Sequence, residues 1–398
     1  MVGFYHVSIP MPYLQTGFYP KLILSWRAGY DLVKFKADVL AALTVAIVAL
    51  PLWMAIAMAS HVAPERGLYT AIIGGFIISA LGGSRFQIGW PAGAFIVLVA
   101  SISDSKGLDG LFLATMMAGA ILFAVGISGL GRFIRYVPHA VTVGFMAGIA
   151  VIIFSSQIKD LFGLKLAGGE PAALAPKLGA LVAASSSFNF MAFGIAGASV
   201  ALIVALRVYR PQWPSLLIAV CLASAAALLI PGTIETIASR FGGIPSHFPM
   251  PHLPEISGPR LLELLPSALS LALLVGIVAT GTIARTATNV KEGAQSPISD
   301  MLHSVFLLLV MLVAAPLAGF IPLAALAAIL TLVCWNMVDR SEIMRLFKKS
   351  PREAVVAAVT FLLTIFVDLT TGIGAGVVLV FLLSPKEFLR GPKHHHQP

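Results

Sequence analysis

The chain has 398 residues, 58% hydrophobic and only 11% charged. Soluble domains carry about 25% charged residues, so most of this chain faces lipid or other buried helices. The net charge of +9 raises nucleic acid as a partner, but the basic residues fall in short loops between apolar runs, which is a membrane pattern and argues against that role.

Residues 1–37 read as a cytoplasmic N-terminal segment with an interfacial helix, its Trp26 and Tyr30 set among Lys21, Arg27 and Lys34. The first crossing is predicted at 38–59, interrupted at Pro51, and the second at 67–84. A third starts within 87–102, and spans four to seven fall near 111–130, 137–156, 189–208 and 214–231. Between them, 157–188 is a long loop whose moderately apolar part, 172–185, is expected to lie on the surface. Residues 231–259 are rich in Pro and Gly and read as an ordered external loop. An eighth run, 261–279, leads straight into the polar sequence Thr280–Asn289. Four more follow near 297–318, 321–338, 353–368 and 371–384, for about twelve crossings within a transport domain at 38–385. Residues 386–398 form a tail in which His394–His396 read as a tag remnant. With both termini in the cytoplasm, about three quarters of the 26 Lys and Arg fall inside, as the positive-inside rule requires.

The chain is organised around Gln87–Ile102. There a hydrophobic run opens on Gly89, Pro91 and Gly93. Proline suits the first turn of a helix, and glycine lets backbone approach another group closely. The pattern predicts a helix that begins inside the membrane, with the N–H groups of Ala92, Gly93 and Ala94 facing a cavity and attracting an anion. A Pro-kinked continuous span is the plainer alternative. Faint internal symmetry strengthens the first reading. Residues 43–51 have a counterpart in 269–277, and 89–95 in 279–285, giving candidate repeats at 38–231 and 261–385. Paired broken segments in two repeats point to a binding site near the midplane.

Thr280, Gly281 and Thr282 would place backbone N–H groups and two hydroxyls at the start of the second broken helix. Arg285, one turn on, adds a full positive charge at a depth where cations are costly and mark pathways; the plainer reading is a side chain snorkelling at the membrane edge. Gln87 is a candidate partner of a bound oxyanion, or satisfies backbone. Trp53, Ile56 and Trp90 are cavity-lining candidates beside the interruptions, although tryptophan also belongs to interfacial belts. His61 and His139 read as satisfied polar residues at loop edges. Asp300 and Asp368 lie near span ends and no Asp or Glu falls mid-span, so the residues favour anion binding over any coupling mechanism. Cys221 and Cys334 sit in apolar runs and imply no disulfide framework. No P-loop, zinc-helix or Cys/His ligand pattern is present, so no cofactor or metal is expected, and paired acid and base residues for an enzyme are lacking.

Three motifs together resemble the SulP family of anion transporters, solute carrier family 26 in animals. They are DVLAALTVAIVALPLWMAIA at 38–57, VPHAVTVGFMAGIAVIIFSSQIKDLFG at 137–163 and ATGTIARTATNVKEGAQSPIS at 279–299. The likeness extends over about residues 30–390 and includes bacterial members, a proton-coupled fumarate transporter among them. The resemblance implies an all-α integral membrane protein of two inverted seven-span repeats, with the anion between the third- and tenth-span half-helices at the midplane. Gln87, Gly89, Pro91, Ala92, Gly93 and Ala94 match the start of the third span; Thr280, Gly281, Thr282, Ile283, Ala284 and Arg285 match the tenth. There are departures. Gly276-Ile277-Val278 runs directly into Ala279-Thr280, so a segment on the order of 40 residues, two span lengths, has no counterpart, and with it goes the family's coupling carboxylate. Trp90 stands where the family has a small residue, Ile56 where it often has an aromatic ring, and the cytoplasmic STAS domain is absent. The expectation is a secondary anion transporter (sulfate, bicarbonate or a dicarboxylate) of the inner membrane, proton- or sodium-coupled and homodimeric. The alternatives are a passive anion channel and a folded but transport-inactive membrane domain.

Overall fold

The computed structural model describes residues 20–89, 93–129, 138–168, 170–171, 173–211, 213–229, 234–245, 253–278 and 283–383. A short helix, α1 (Lys21–Arg27), precedes α2 (Leu32–Ala59), which Asp31 caps by accepting the Lys34 N–H at 2.9 Å. Pro51 lies inside α2 and denies the Ile47 carbonyl its hydrogen bond; the helix bends by 43° between Ile47 and Ala49. The second crossing is one helical run made of α3 (Pro64–Tyr69), a π-turn at Thr70–Gly74 and α4 (Gly75–Leu81).

The chain then leaves helical form through residue 89, and a 3-10 turn at Gly93–Phe95 starts α5 (Ile96–Ile127). The predicted third and fourth spans are the two helical stretches of α5, which meet at a kink where Gly107 takes φ +69°, a conformation that glycine adopts without strain. Next come α6 (His139–Phe162), α7 (Leu174–Ala183), α8 (Phe190–Tyr209), capped by Asn189, and α9 (Ser215–Leu229). The surface segment predicted at 172–185 is α7, which turns Lys177 and Leu181 inward. Within the predicted external loop, α10 (Ile237–Phe241) starts on a capping box of Thr236 and Ser239. It is pinned to the other half of the chain by Ile237 N–H to Ile321 O and Ala238 N–H to Gly319 O.

The second half contains α11 (Gly258–Val278), α12 (Ile283–Lys291), α13 (Ile298–Ala318), α14 (Leu323–Met337), α15 (Arg340–Lys349), α16 (Pro351–Phe366) and α17 (Leu369–Leu383). Every predicted crossing has a helix within the described residues. Six are long and apolar enough to cross a membrane outright, or seven with bent α2. The others are broken or short: the 15 residues of α9 or α17 rise about 22 Å against a hydrocarbon core of about 30 Å.

Extensive packing joins early helices to late ones: α2 on α13, α5 on α11, and α6 on both α14 and α16. This interleaving lets each half cover the apolar faces of the other. Trp53, Phe145, Ile149 and Leu307 sit in the shared core, none of them exposed.

Candidate functional site

The non-helical stretch after α4 is held by side chains far away in sequence. Ile88 N–H donates to Thr286 Oγ1 at 3.3 Å, and Asn289 Nδ2 donates to Phe86 O at 3.0 Å. Both partners lie on α12, so the start of the third span is tied to the helix that carries Arg285. Asn289 is itself fixed, its Oδ1 accepting from Ser299 Oγ at 2.6 Å. Gly89 N–H donates to Asp300 Oδ2 at 2.9 Å, and the same oxygen accepts from Ser79 Oγ. A Cβ on Gly89 would stand 3.1 Å from Gly75 Cα, so two glycines make this approach of backbone to backbone possible.

The burial of Asp300 is what the sequence reading did not anticipate. The residue does sit in the first turn of α13, as its position near a span end implied, yet it is only 1% exposed. The reason is that α13 begins against α4 and residues 86–89, and that stretch is itself enclosed. His303, one turn along and equally buried, brings Nδ1 to 3.2 Å from Asp300 Oδ1, without the alignment of a hydrogen bond. The His303 ring meets Trp53 edge-on, with centroids 6.4 Å apart. On the same indole lies the Arg285 guanidinium, 4.1 Å from the ring centroid. A guanidinium over a tryptophan face is stabilised by the ring quadrupole, by about 2 kcal/mol when desolvated.

The anchor below this cluster is Asp38, wholly buried at the start of α2. It accepts from Tyr30 Oη at 2.7 Å, Gln295 N–H at 2.6 Å and Ser296 Oγ at 2.6 Å, and so fixes the turn from which α13 starts.

Of the remaining candidates, Gly93 packs beside Val333 and Met337 of α14, and Ala94 is buried. Gln87 is exposed, its N–H held by Ser84 Oγ at 3.2 Å. Trp53 is 0% exposed and belongs to no interfacial belt, and Ile56 is core. Trp90, Pro91, Ala92, Thr280, Gly281 and Thr282 lie outside the described residues, as do the side chains of Ile283 and Ala284. His61 and His139 do have partners, in Asp104 at 2.8 Å and Glu342 at 2.9 Å. A cavity of about 250 Å³ between α5, α6 and α16 reaches from Asp104 and Lys177 down to Ile96, the first residue of α5.

The residues that sequence reasoning missed are Ser79, Thr286, Asn289, Asp300 and His303. Their signal was polar residues at helical spacing: Thr286 and Asn289 in a polar helix, then Asp300 and His303 at the start of an apolar one, each pair three apart.

The model of the sulfate permease family matches residues 35–279 and 272–360. The chain is 36% identical to "Putative sulfate transporter YvdB" of Bacillus subtilis, over 93% of this chain and 77% of that protein. It is 26% identical to the bicarbonate transporter BicA of a Picosynechococcus species, over 88% of this chain and 70% of that one. Among solved structures, the transmembrane domain of a cyanobacterial BicA superposes with TM-score 0.73 at 25% identity, covering 87% of this chain and 99% of that one. The murine solute carrier 26 member A9 anion transporter, inward-facing, gives TM-score 0.80 at 19% identity over 92% and 70%, a likeness of fold alone. The two family matches overlap at 272–279, beside the junction where the sequence lacks two spans. The YvdB alignment runs over 409 positions yet uses 93% of 398 residues, leaving about 39 positions unfilled by this chain.

Proposed function

The chain belongs to the sulfate permease family, and from that premise we propose a secondary anion transporter that works by alternating access in the cell inner membrane. Transport of small anions across a membrane is the work of the family. Sulfate and bicarbonate are the first substrates to consider, being those in the names of its relatives, with dicarboxylates such as fumarate next.

The observation that carries this reading is the docking of residues 86–89 onto α12 beside Arg285. Residues 86 and 88, which lead into the third span, are bonded to α12; a helix start turns unsatisfied N–H groups and a positive dipole end outward, which favours an anion without a charged side chain in contact. In the proposed site Gln87, Gly89, Pro91, Ala92, Gly93 and Ala94 supply one wall. Thr280, Gly281, Thr282, Ile283 and Ala284 supply the other, and Arg285 adds the charge. The first repeat is proposed at 38–231 and the second at 261–385, and the working unit as a homodimer.

The test is counterflow in proteoliposomes with labelled sulfate, bicarbonate and fumarate. Saturable exchange of one of them, competed by the others, supports the proposal. Electrogenic flux that never saturates or accumulates would make the protein a passive channel, and the lack of both binding and flux would overturn anion transport for this chain.

A further inference from the structure

The pair Asp300–His303 is not needed to hold an anion, and nothing in its packing requires two ionisable groups. Burying an ionisable residue inside a membrane domain is costly, and such residues mark proton or ion pathways. Here the groups are incompletely satisfied. Asp300 Oδ2 accepts from Ser79 and Gly89, while Oδ1 has no aligned donor. Among the described residues, neither ring nitrogen of His303, nor Trp53 Nε1, has a hydrogen-bond partner, and both residues are enclosed. Unsatisfied polar atoms gathered in one buried cluster call for a partner, whether a water, an ion or a proton.

We infer that Asp300 and His303 form a proton-binding site that ties proton uptake to anion binding; the coupling half of this inference rests on the transporter reading above. A carboxylate oxygen only accepts, so the hydrogen of a neutral imidazole belongs on Nδ1, facing Oδ1. That leaves the Nε2 lone pair free to take the incoming proton. The pair then passes from one negative charge to none. Arg285, which acts electrostatically on Asp300 and shares the Trp53 indole with His303, is released from its countercharge, and the site becomes net positive for an anion. By linkage the anion must tighten proton binding as much as the proton tightens anion binding. The Gly89 N–H joins this site to the start of the third span, so a change in Asp300 is felt in that backbone.

Few other charges face the pair. α4 and the π-turn at Thr70–Gly74 bring no titratable group. On α2, Asp38 is engaged by Tyr30, Gln295 and Ser296. On α3, Arg66 lies over Phe112, and Glu65 acts on Tyr69. From α12, Arg285 faces the pair directly.

Two readouts on the purified full chain test this. The first needs no transport: tryptophan emission in detergent followed from pH 5 to 8, since imidazolium against an indole quenches it. The expected result is a sigmoidal change in the wild type that both His303→Gln and Trp53→Phe abolish. No change, or one that persists in His303→Gln, overturns the proton site. The second is labelled sulfate uptake in proteoliposomes with the potential clamped at zero and the lumen one pH unit more alkaline. One proton per anion gives up to about tenfold accumulation, the factor that one pH unit of driving force supplies. In Asp300→Asn, the ratio of uptake with the gradient to uptake without it should fall to about one, whatever the basal rate. An unchanged ratio overturns the coupling role. A wild type that titrates but neither binds nor moves sulfate, bicarbonate or fumarate upholds the proton site and sinks the transporter reading instead.

Discussion

Arg285 keeps a charge in a helix-lined interior by lying flat over Trp53, 4.1 Å from its centroid, on α12, which also grips residues 86–88. The planar guanidinium can stack on an aromatic face and still offer hydrogen bonds at its edge, which a lysine ammonium cannot do. If it supplies the positive charge of the anion site, Arg285→Ala should lower saturable sulfate uptake by tenfold or more, tenfold being the equivalent of about 1.4 kcal/mol, with folding and oligomer size unchanged. Arg285→Lys should recover only part. Uptake at the wild-type level in the alanine variant would remove Arg285 from the site. Trp90 carries a related prediction: because an indole at the proposed start of the third span would fill space meant for the ligand, Trp90→Gly should raise sulfate affinity or flux, and an unchanged affinity in a normally folded variant would place the indole outside the pathway.

At the level of elements, α16 is clasped from two sides. Gly144 and Gly148 of α6 come so close that a Cβ on Gly144 would stand 2.2 Å from Ala357 O, and one on Gly148 2.8 Å from Thr364 Cγ2. Gly372 and Gly376 of α17 approach Thr364 and Thr360 in the same way. Both pairs are spaced four apart, the arrangement by which helices in lipid gain packing contacts that the hydrophobic effect does not supply there. Gly144→Val should therefore force α6 off α16, since a backbone oxygen cannot move aside as a flexible side chain would. Overpacking costs about 1–3 kcal/mol, and this clash belongs at the upper end. Thermal loss of the monodisperse peak in size-exclusion chromatography should shift downward by several degrees, whereas Gly197→Val, where a Cβ meets nothing, should leave it in place. Equal behaviour of the two variants would mean that the α6–α16 contact is not a close one.

For the whole molecule, the governing question is the junction near 278–280. The family match divides there, and relatives carry about 39 more positions than this chain fills. The helices on either side, α11 and α12, are still placed against α5 and α2, so the second half finds its partners in the first despite the missing spans. Intact mass decides whether the junction is real: 41.8 kDa upholds it, and an excess of about 4 kDa, two span lengths of residues, shows that a segment is present in the molecule. A chain of 41.8 kDa that still accumulates sulfate against a gradient would mean that coupling does not need the absent spans, which is what a proton site on α13 requires.

Composition and patterning by themselves determined the class of protein and the position of nearly every helix. Lipid accepts only backbone that hydrogen-bonds within its own segment, so apolar runs of span length translate directly into helices, and Gly89–Gly93 announced where one would be interrupted. Two things were not legible. The break between the third and fourth spans was legible, but Gly107 as its pivot looked like any other glycine, because only the φ of +69° distinguishes it. Asp300 looked like a span-end residue facing water, because depth along a helix is a property of what surrounds it. Only the tertiary structure, by laying α13 against α4 and the non-helical residues 86–89, put that carboxylate and His303 into an interior shared with Trp53 and Arg285. Sequence spacing sets which face of a helix a residue occupies; whether that face meets lipid, water or another charge is decided by helices from the far end of the chain.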